Sequence, residues 1–370
     1  MEETIKSLIS WGKNRKGYPT QIQIHPTNYC NLKCIFCPTR ALVKELDRKK
    51  ELKKEEWFKL IEEGTELGVK EWHVCGGGEP LFFKDTIAVM KKIKDFGMYG
   101  ELITNGTFFQ VNVAKEIVEM EWDKIYISLD SPYPKTQNFL RGKKCFDEII
   151  KGVKNLIKWK KRLKIGKPSL FFHSVITNKN YTHIPKLIEL AFKLKVDGIS
   201  LNALNIWKPE IEKLKLKDEE EEIAKKILEK SEEIAKKFHI TTNIQDFLNF
   251  SFIRKANVMN EAMVKEIGKV RKSFDSIACY YPWYNISIFS NGKALPCFIL
   301  KDEGENVREK SLKEIWFGSY FNHIRKMFLK NELKNDCSKC NPWNMPKMEE
   351  IRRALKNYFD KNIKILLHNV

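Results

Sequence analysis

What the sequence lacks narrows its class before any motif is considered. No apolar stretch among the 370 residues reaches the ~18 uninterrupted positions that a membrane span needs, because Lys or Glu cuts each one short, so no transmembrane helix is expected. The opening MEETIKSLISWGKNRKG has acids at once and no apolar run ending in a small-residue cleavage site. It is not a secretory signal, and a cytoplasmic protein is expected. Acidic charge is the scarcer sign: 48 Asp and Glu face 67 Lys and Arg, a net charge of +19. That excess raises a nucleic-acid reading. Segments such as KLKLKDEEEEIAKKILEKSEEIAKK interleave the two signs, however, as a solvated helical surface does. The Phe and Trp residues fall in apolar runs or beside cysteines rather than among exposed basic residues, as stacking platforms would require. A hydrophobic content of 42% is enough for one large core or two moderate ones, which excludes a short disulfide-stapled scaffold.

Cysteine is not lacking. Nine occur in a chain without an export signal, which argues against disulfides and for metal or redox chemistry. Cys30, Cys34 and Cys37 cluster early, Cys279, Cys297, Cys337 and Cys340 gather late, and Cys75 and Cys145 stand apart.

Between the two sets the pattern alternates. Strands are predicted at Gln21 to Thr27, Glu71 to Cys75, Tyr99 to Thr104, Lys124 to Leu129, Leu170 to Ile176 and Gly198 to Leu201. Helices are predicted near Lys53 to Gly68, Lys84 to Phe96, Val113 to Met120, Phe146 to Lys161 and Ile184 to Leu194. Six βα units imply a parallel sheet with functional residues on the loops after the strands. Six fall short of the eight of a closed barrel, so the expected fold is α/β, a partial (βα)6 TIM-like barrel over residues 1–205. A charged helical connector and lid is expected over 206–272. A small cysteine-rich hairpin and helix domain follows over 273–346, with hairpin strands meeting at Asn291-Gly292 and a helix from Leu312 to Leu329. A basic helix occupies 347–370.

Three thiolates at Cys30-x3-Cys34-x2-Cys37, just past a strand end, can converge on one compact inorganic cluster and leave one iron open. The competing reading is a zinc site, with His25 or Cys75 as fourth ligand. The motif CNLKCIFC, with Phe36 before its last cysteine, resembles the signature of the radical S-adenosylmethionine (radical SAM) superfamily. GGGEP at Gly76 to Pro80 supports the resemblance. It implies a 4Fe-4S cluster on the three cysteines and S-adenosylmethionine on its open iron, held by Gly77, Gly78 and Glu79, with Glu79 on the methionine amino group. It further implies cofactor contacts from Asn105, Ser128 and Asp130 at strand ends, and a pairing of Arg141 with the methionyl carboxylate; turn residues and a surface Arg are the plainer alternatives. The implied chemistry is one-electron cleavage to a 5′-deoxyadenosyl radical that abstracts hydrogen from an unactivated C–H bond. A reducing partner such as ferredoxin or flavodoxin and anaerobic handling go with it.

The late set has the number of thiolates for a fully ligated cluster or a structural zinc. Gly292-x4-Cys297 followed by Cys337-x2-Cys340 resembles the SPASM auxiliary-cluster extension or its shorter twitch relative. The full extension carries seven cysteines, and none follows Cys340, so one auxiliary 4Fe-4S cluster on Cys279, Cys297, Cys337 and Cys340 is expected, either redox-active or structural. The reduced cysteine set and its CYYPW opening point to a small-molecule substrate such as a sugar or nucleotide-sugar, oxidised or rearranged. A peptide or protein maturase is the alternative, and an RNA-directed radical enzyme a further one. A reaction that returns hydrogen would need a donor, for which Cys145 is the candidate; the plainer reading of Cys145, Cys75, His25 and His173 is an ordinary core residue.

Overall fold

The computed structural model describes residues 1–13, 16–37, 47–250, 274, 277–300, 302–330, 332–340 and 344–367. Helix α1 (Glu2–Gly12) comes first, and Glu2 and Glu3 in its first turn complement the helix dipole. Strand β1 (Gln21–Ile24) follows, then α2 (Lys54–Glu66), β2 (Glu71–Val74), α3 (Thr86–Asp95), β3 (Tyr99–Thr104), α4 (Val111–Glu119) and β4 (Lys124–Ser128). Helices α5 (Pro134–Arg141) and α6 (Phe146–Leu163) lead to β5 (Ser169–Val175), α7 (Ile184–Leu194) and β6 (Gly198–Asn202). The six predicted units are present. Helix α5 was not predicted, although Pro134 at its first turn and Gly142 at its C-cap, with φ +65°, mark its ends.

The described part of the connector packs against the sheet and its helices. Helix α8 (Asp218–Phe238) lays Ala224, Leu228 and Ala235 into the main core and packs on α7, while β7 (Thr241–Thr242) extends the sheet beside β6 and α9 (Ile244–Phe250) follows. Residues 251–272 of the expected connector lie outside the described residues. The cysteine hairpin does not stand apart. Strand β8 (Asn285–Ile288) pairs in parallel with β1, with Gln21 opposite Asn285, and turns at Gly292 (φ +85°) into antiparallel β9 (Lys293–Leu295), which pairs with β10 (Glu305–Asn306). One sheet therefore runs β10-β9-β8-β1-β2-β3-β4-β5-β6-β7. An unpaired β1 would leave a row of open N–H and C=O groups at the sheet edge, and the late hairpin satisfies them. The predicted helix from Leu312 to Leu329 is two, α10 (Leu312–Phe317) and α11 (Ser319–Leu329), because Gly318 is extended (φ −71°, ψ 171°) and breaks the ladder. Helix α12 (Asn344–Leu367) ends the described chain.

Strand pleating separates two faces. Ile22, Ile24, Trp72, Val74, Leu102, Ile125, Ile127, Leu170 and Phe172 are fully buried in the core under the helices. The alternate positions carry Gln23, His73, Glu101, Tyr126, Ser128, His173 and, from β8, Ser287, so the inner face of the sheet is polar. A second core of Leu8, Tyr280, Tyr284, Ile324, Phe328, Met348, Ile351 and Leu355 joins α1, α11 and α12 around the late cysteines.

Candidate active site and auxiliary centre

The loop after β1 carries the early cysteines at the C-terminal end of the sheet. Its backbone is held against the end of α5: Lys33 N donates to Arg141 O (3.1 Å) and Ile35 N to Leu140 O (3.0 Å), while Cys37 N donates to Cys34 O (3.3 Å). A Cβ at Gly142 would strike the Lys33 carbonyl, so the approach requires glycine there. Burial pushes the Cys30 thiol up to about 11, and the neighbouring Glu79, Cys34 and Cys37 push the same way. Three thiols close enough to feel one another, with burial raising Cys30 and Cys34, are a donor set for a strongly cationic centre.

Gly76, Gly77 and Gly78 follow β2 and run beside this loop. A side chain on Gly77 would meet Asn28 Oδ1, and one on Gly78 the Tyr29 carbonyl, so the two segments lie backbone to backbone. Glu79 is 2% exposed. Its carboxylate accepts from Thr104 Oγ1 (2.5 Å), Asn105 N (2.7 Å) and Leu81 N (3.2 Å). Burial nevertheless raises its pKa to about 7, since these donors offset only part of the desolvation. A buried carboxylate with no cationic partner among the described residues is a receptor for an ammonium group, and this fits the methionine end of S-adenosylmethionine.

The remaining predicted residues fall into two groups. Asn105 is tied into the cysteine loop: its Nδ2 donates to Asn31 Oδ1 (2.8 Å) and approaches Cys30 Sγ (3.9 Å), and its Oδ1 accepts from Thr107 Oγ1 (2.7 Å). Arg141 and Asp130 are engaged with each other. Arg141 is buried, not a surface Arg, and pairs with Asp130 at 2.7 Å. Asp130 Oδ1 also accepts from Val175 N (2.9 Å). The same guanidinium lies 3.8 Å from Cys34 Sγ and over the Phe36 ring at 5.4 Å. Asp130 therefore holds Arg141 against the cysteine loop, and this carboxylate is a positioning group rather than a free one. Ser128 is half-buried on the inner face opposite His173.

Cys145, the candidate hydrogen donor, is 2% exposed at the N-terminus of α6 and belongs to the main core. It does not line the inner face. Cys75 accepts from Gln23 Nε2 (2.9 Å) and donates to Ile24 O (3.6 Å). His25 stacks on Phe289 at 4.9 Å and, like His173, is pushed down to about 4 by burial, so both rings are neutral. The inner-face residues Gln23, Tyr126, Asn202 and Ser287 were not singled out from the sequence. The signal was the polar half of the alternation in QIQI, KIYIS and NISI. His173 bridges Ser200 Oγ (3.2 Å) and Asn202 Nδ2, and Tyr126 meets it edge-on at 5.7 Å.

The late cysteines converge as expected. Cys279, Cys297, Cys337 and Cys340 together line a cavity of about 60 Å³ walled by Tyr281, Pro282, Pro296, Ile299, Leu300 and Phe328. Burial raises all four thiols, and Cys279 is raised further by the other three. Backbone amides of Tyr281, Phe298 and Ile299 and the Asn344 amide (3.8 Å to Cys340 Sγ) point at the sulfurs. An apolar cage of four thiols, with N–H donors aimed at them, fits a fully ligated iron-sulfur cluster.

Comparison with known proteins agrees with this division. Residues 24–191 match the radical SAM superfamily, and residues 279–341 match SPASM, an iron-sulfur cluster-binding domain. A probable GTP 3′,8-cyclase of Pyrococcus horikoshii is 32% identical over 146 residues, 39% of this chain and 46% of that protein, so the match spans about half the relative's length. The tungsten-containing aldehyde ferredoxin oxidoreductase cofactor-modifying protein of Pyrococcus furiosus is 24% identical over 85% of each chain. Streptococcus suis SuiB bound to its precursor peptide SuiA shares the fold at a TM-score of 0.65 and 19% identity, over 92% of this chain and 74% of that one. The two domains imply a 4Fe-4S cluster, an auxiliary cluster and bound S-adenosylmethionine. The chain carries a radical SAM domain over residues 24–191 and a SPASM domain over residues 279–341.

Proposed function

We propose that Cys30, Cys34 and Cys37 hold the 4Fe-4S cluster that binds S-adenosylmethionine, and that Glu79 receives the methionine ammonium. When bound, cluster and cofactor supply a 5′-deoxyadenosyl radical. The chain's own residues orient and shield it. Glu79 is fixed by three hydrogen bonds, Gly77 and Gly78 let the segment that carries it lie against the cysteine loop, and Arg141 keeps a positive charge beside Cys34. A substrate whose unactivated C–H bond is to lose hydrogen to that chemistry would be presented by the polar inner face of the sheet.

The observation that carries the substrate reading is the inner face. Gln23, Tyr126, Ser128, His173, Asn202 and Ser287 offer hydrogen bonds without formal charge, His173 being neutral, and Glu101 beside His73 is the acidic member of the same face. Such a wall suits an uncharged, hydroxyl-rich small molecule such as a sugar or the sugar part of a nucleotide-sugar, oxidised or rearranged there. A peptide substrate is the second reading, favoured by the fold shared with SuiB, whose structure holds its precursor peptide. Cys279, Cys297, Cys337 and Cys340 hold the auxiliary cluster.

The test is anaerobic reconstitution with iron and sulfide, then dithionite and S-adenosylmethionine. About eight irons per chain are expected from two four-iron clusters, together with 5′-deoxyadenosine. Zinc without cleavage ends the reading. Deuterated sugars and deuterated peptides, offered separately, decide between substrates by which one transfers deuterium to 5′-deoxyadenosine.

A further inference from the structure

The cysteine loop has an outer side. Ile35, between Cys34 and Cys37, is 36% exposed, and Phe139 on α5 is 54% exposed. Ile35 N bonds to Leu140 O, the residue after Phe139, which sets the backbone of the cysteine loop beside the end of α5. Around them stand Lys33, Lys143 and Lys144, all exposed. Lys33 N bonds to Arg141 O and its carbonyl crowds Gly142, which brings Lys33 beside the Lys143-Lys144 pair. None of the three lysines forms an ion pair with a described residue. Two exposed apolar side chains and three exposed lysines without an ion pair among the described residues thus stand on the cysteine loop and on the chain around the end of α5 packed against it.

We propose that this surface docks a ferredoxin, a small acidic one-electron carrier, and is the port through which the cluster is reduced. The inference rests on the cluster assignment above. Charge complementarity selects the partner: the chain is strongly basic, and unpaired lysines over the redox centre steer an anionic protein to this spot and orient it. The apolar pair supplies the short-range contact that a weak, transient electron-transfer complex needs. The step moves one electron and no atoms. The carrier's reduced cluster is oxidised by one electron, and the chain's 4Fe-4S cluster goes from the 2+ to the 1+ state.

The experiment compares reconstituted wild type with Lys143→Glu/Lys144→Glu and, separately, Phe139→Ser. Dithionite, which needs no docking, should give 5′-deoxyadenosine at the same rate in all three. Reduced ferredoxin should drive the wild type well and the charge-reversed pair about tenfold or more slower, through a higher half-saturating concentration. The wild-type rate with ferredoxin should fall as salt rises and screens the rim. Equal ferredoxin-driven rates in wild type and both variants overturn the docking surface. No cleavage with dithionite in wild type overturns the cluster reading instead. Docking is then still read from resonance shifts of oxidised ferredoxin titrated with each chain, lost in the charge-reversed pair if the surface is real and retained if it is not.

Discussion

Replacing Glu79 by Gln keeps the shape of the side chain and removes its charge. In the protein this carboxylate accepts three hydrogen bonds, is 2% exposed and is raised to about 7 by burial. A charge-assisted hydrogen bond to the methionine ammonium is worth about 1.5 to 3 kcal/mol. Its loss should therefore weaken S-adenosylmethionine binding by roughly tenfold to somewhat over a hundredfold, at about 1.4 kcal/mol per factor of ten. Only the ionised carboxylate attracts an ammonium. With a pKa of about 7, it is ionised in about a tenth of molecules at pH 6 and about nine-tenths at pH 8. Wild-type affinity should rise about tenfold across that interval, while the Gln variant stays flat. The stability of the cofactor-free chain should move the opposite way. Because the folded pKa lies above the ordinary carboxylate value of 4.5, Glu79 favours folding below that value and loses its contribution as pH rises through about 7. Anaerobic equilibrium dialysis of the reconstituted protein from pH 6 to 8 measures the binding, and urea melts of wild type against variant measure the stability. An unchanged dissociation constant, or a sloped profile in the Gln variant, refutes the assignment.

Three further outcomes follow from the same geometry. Cys30→Ala, Cys34→Ala or Cys37→Ala should halve the iron content and abolish cofactor cleavage, whereas Cys297→Ala or Cys340→Ala should halve iron yet leave uncoupled cleavage in place and lower product or stability; iron analysis with chromatography of 5′-deoxyadenosine separates them. Arg141→Met leaves Asp130 buried without its partner and should destabilise the fold by about 3 to 5 kcal/mol, and the Asp130→Asn/Arg141→Met double variant should cost less than the sum of the singles, as measured by urea melts. Cys145→Ala should leave turnover unchanged; loss of a solvent deuteron fixed at an inverted substrate carbon would make that thiol the hydrogen donor in spite of its place in the core.

Much of the chemistry was legible in the sequence because it is local. The spacing in CNLKCIFC places three sulfurs on one short loop, whatever surrounds it, and the glycines before Glu79 announce a close backbone approach. Strand–helix alternation needs only the period of the apolar residues, which is why the six units match within a few residues. The α5 helix was missed for a different reason: its core periodicity spans only eight residues, and its cap signals outweigh its apolar face.

Tertiary structure decided what depends on residues far apart in the chain. That the late hairpin completes the sheet at β1 follows from an unsatisfied edge seeking backbone partners, with 264 residues between Gln21 and Asn285. That Asp130 holds Arg141 against Cys34 follows from the cost of burying either charge alone, and no spacing rule reveals it. The polar inner face is written as alternation within each strand, but only the pairing of the strands side by side turns these separate half-patterns into one wall. Sequence by itself singled out the cysteines that could bind iron, Cys30, Cys34 and Cys37 because they share one short loop and the late four from their spacing around the hairpin and Cys337-x2-Cys340. The fold determined which of the others face the substrate, since that depends on the direction in which each strand is pleated and on what covers it.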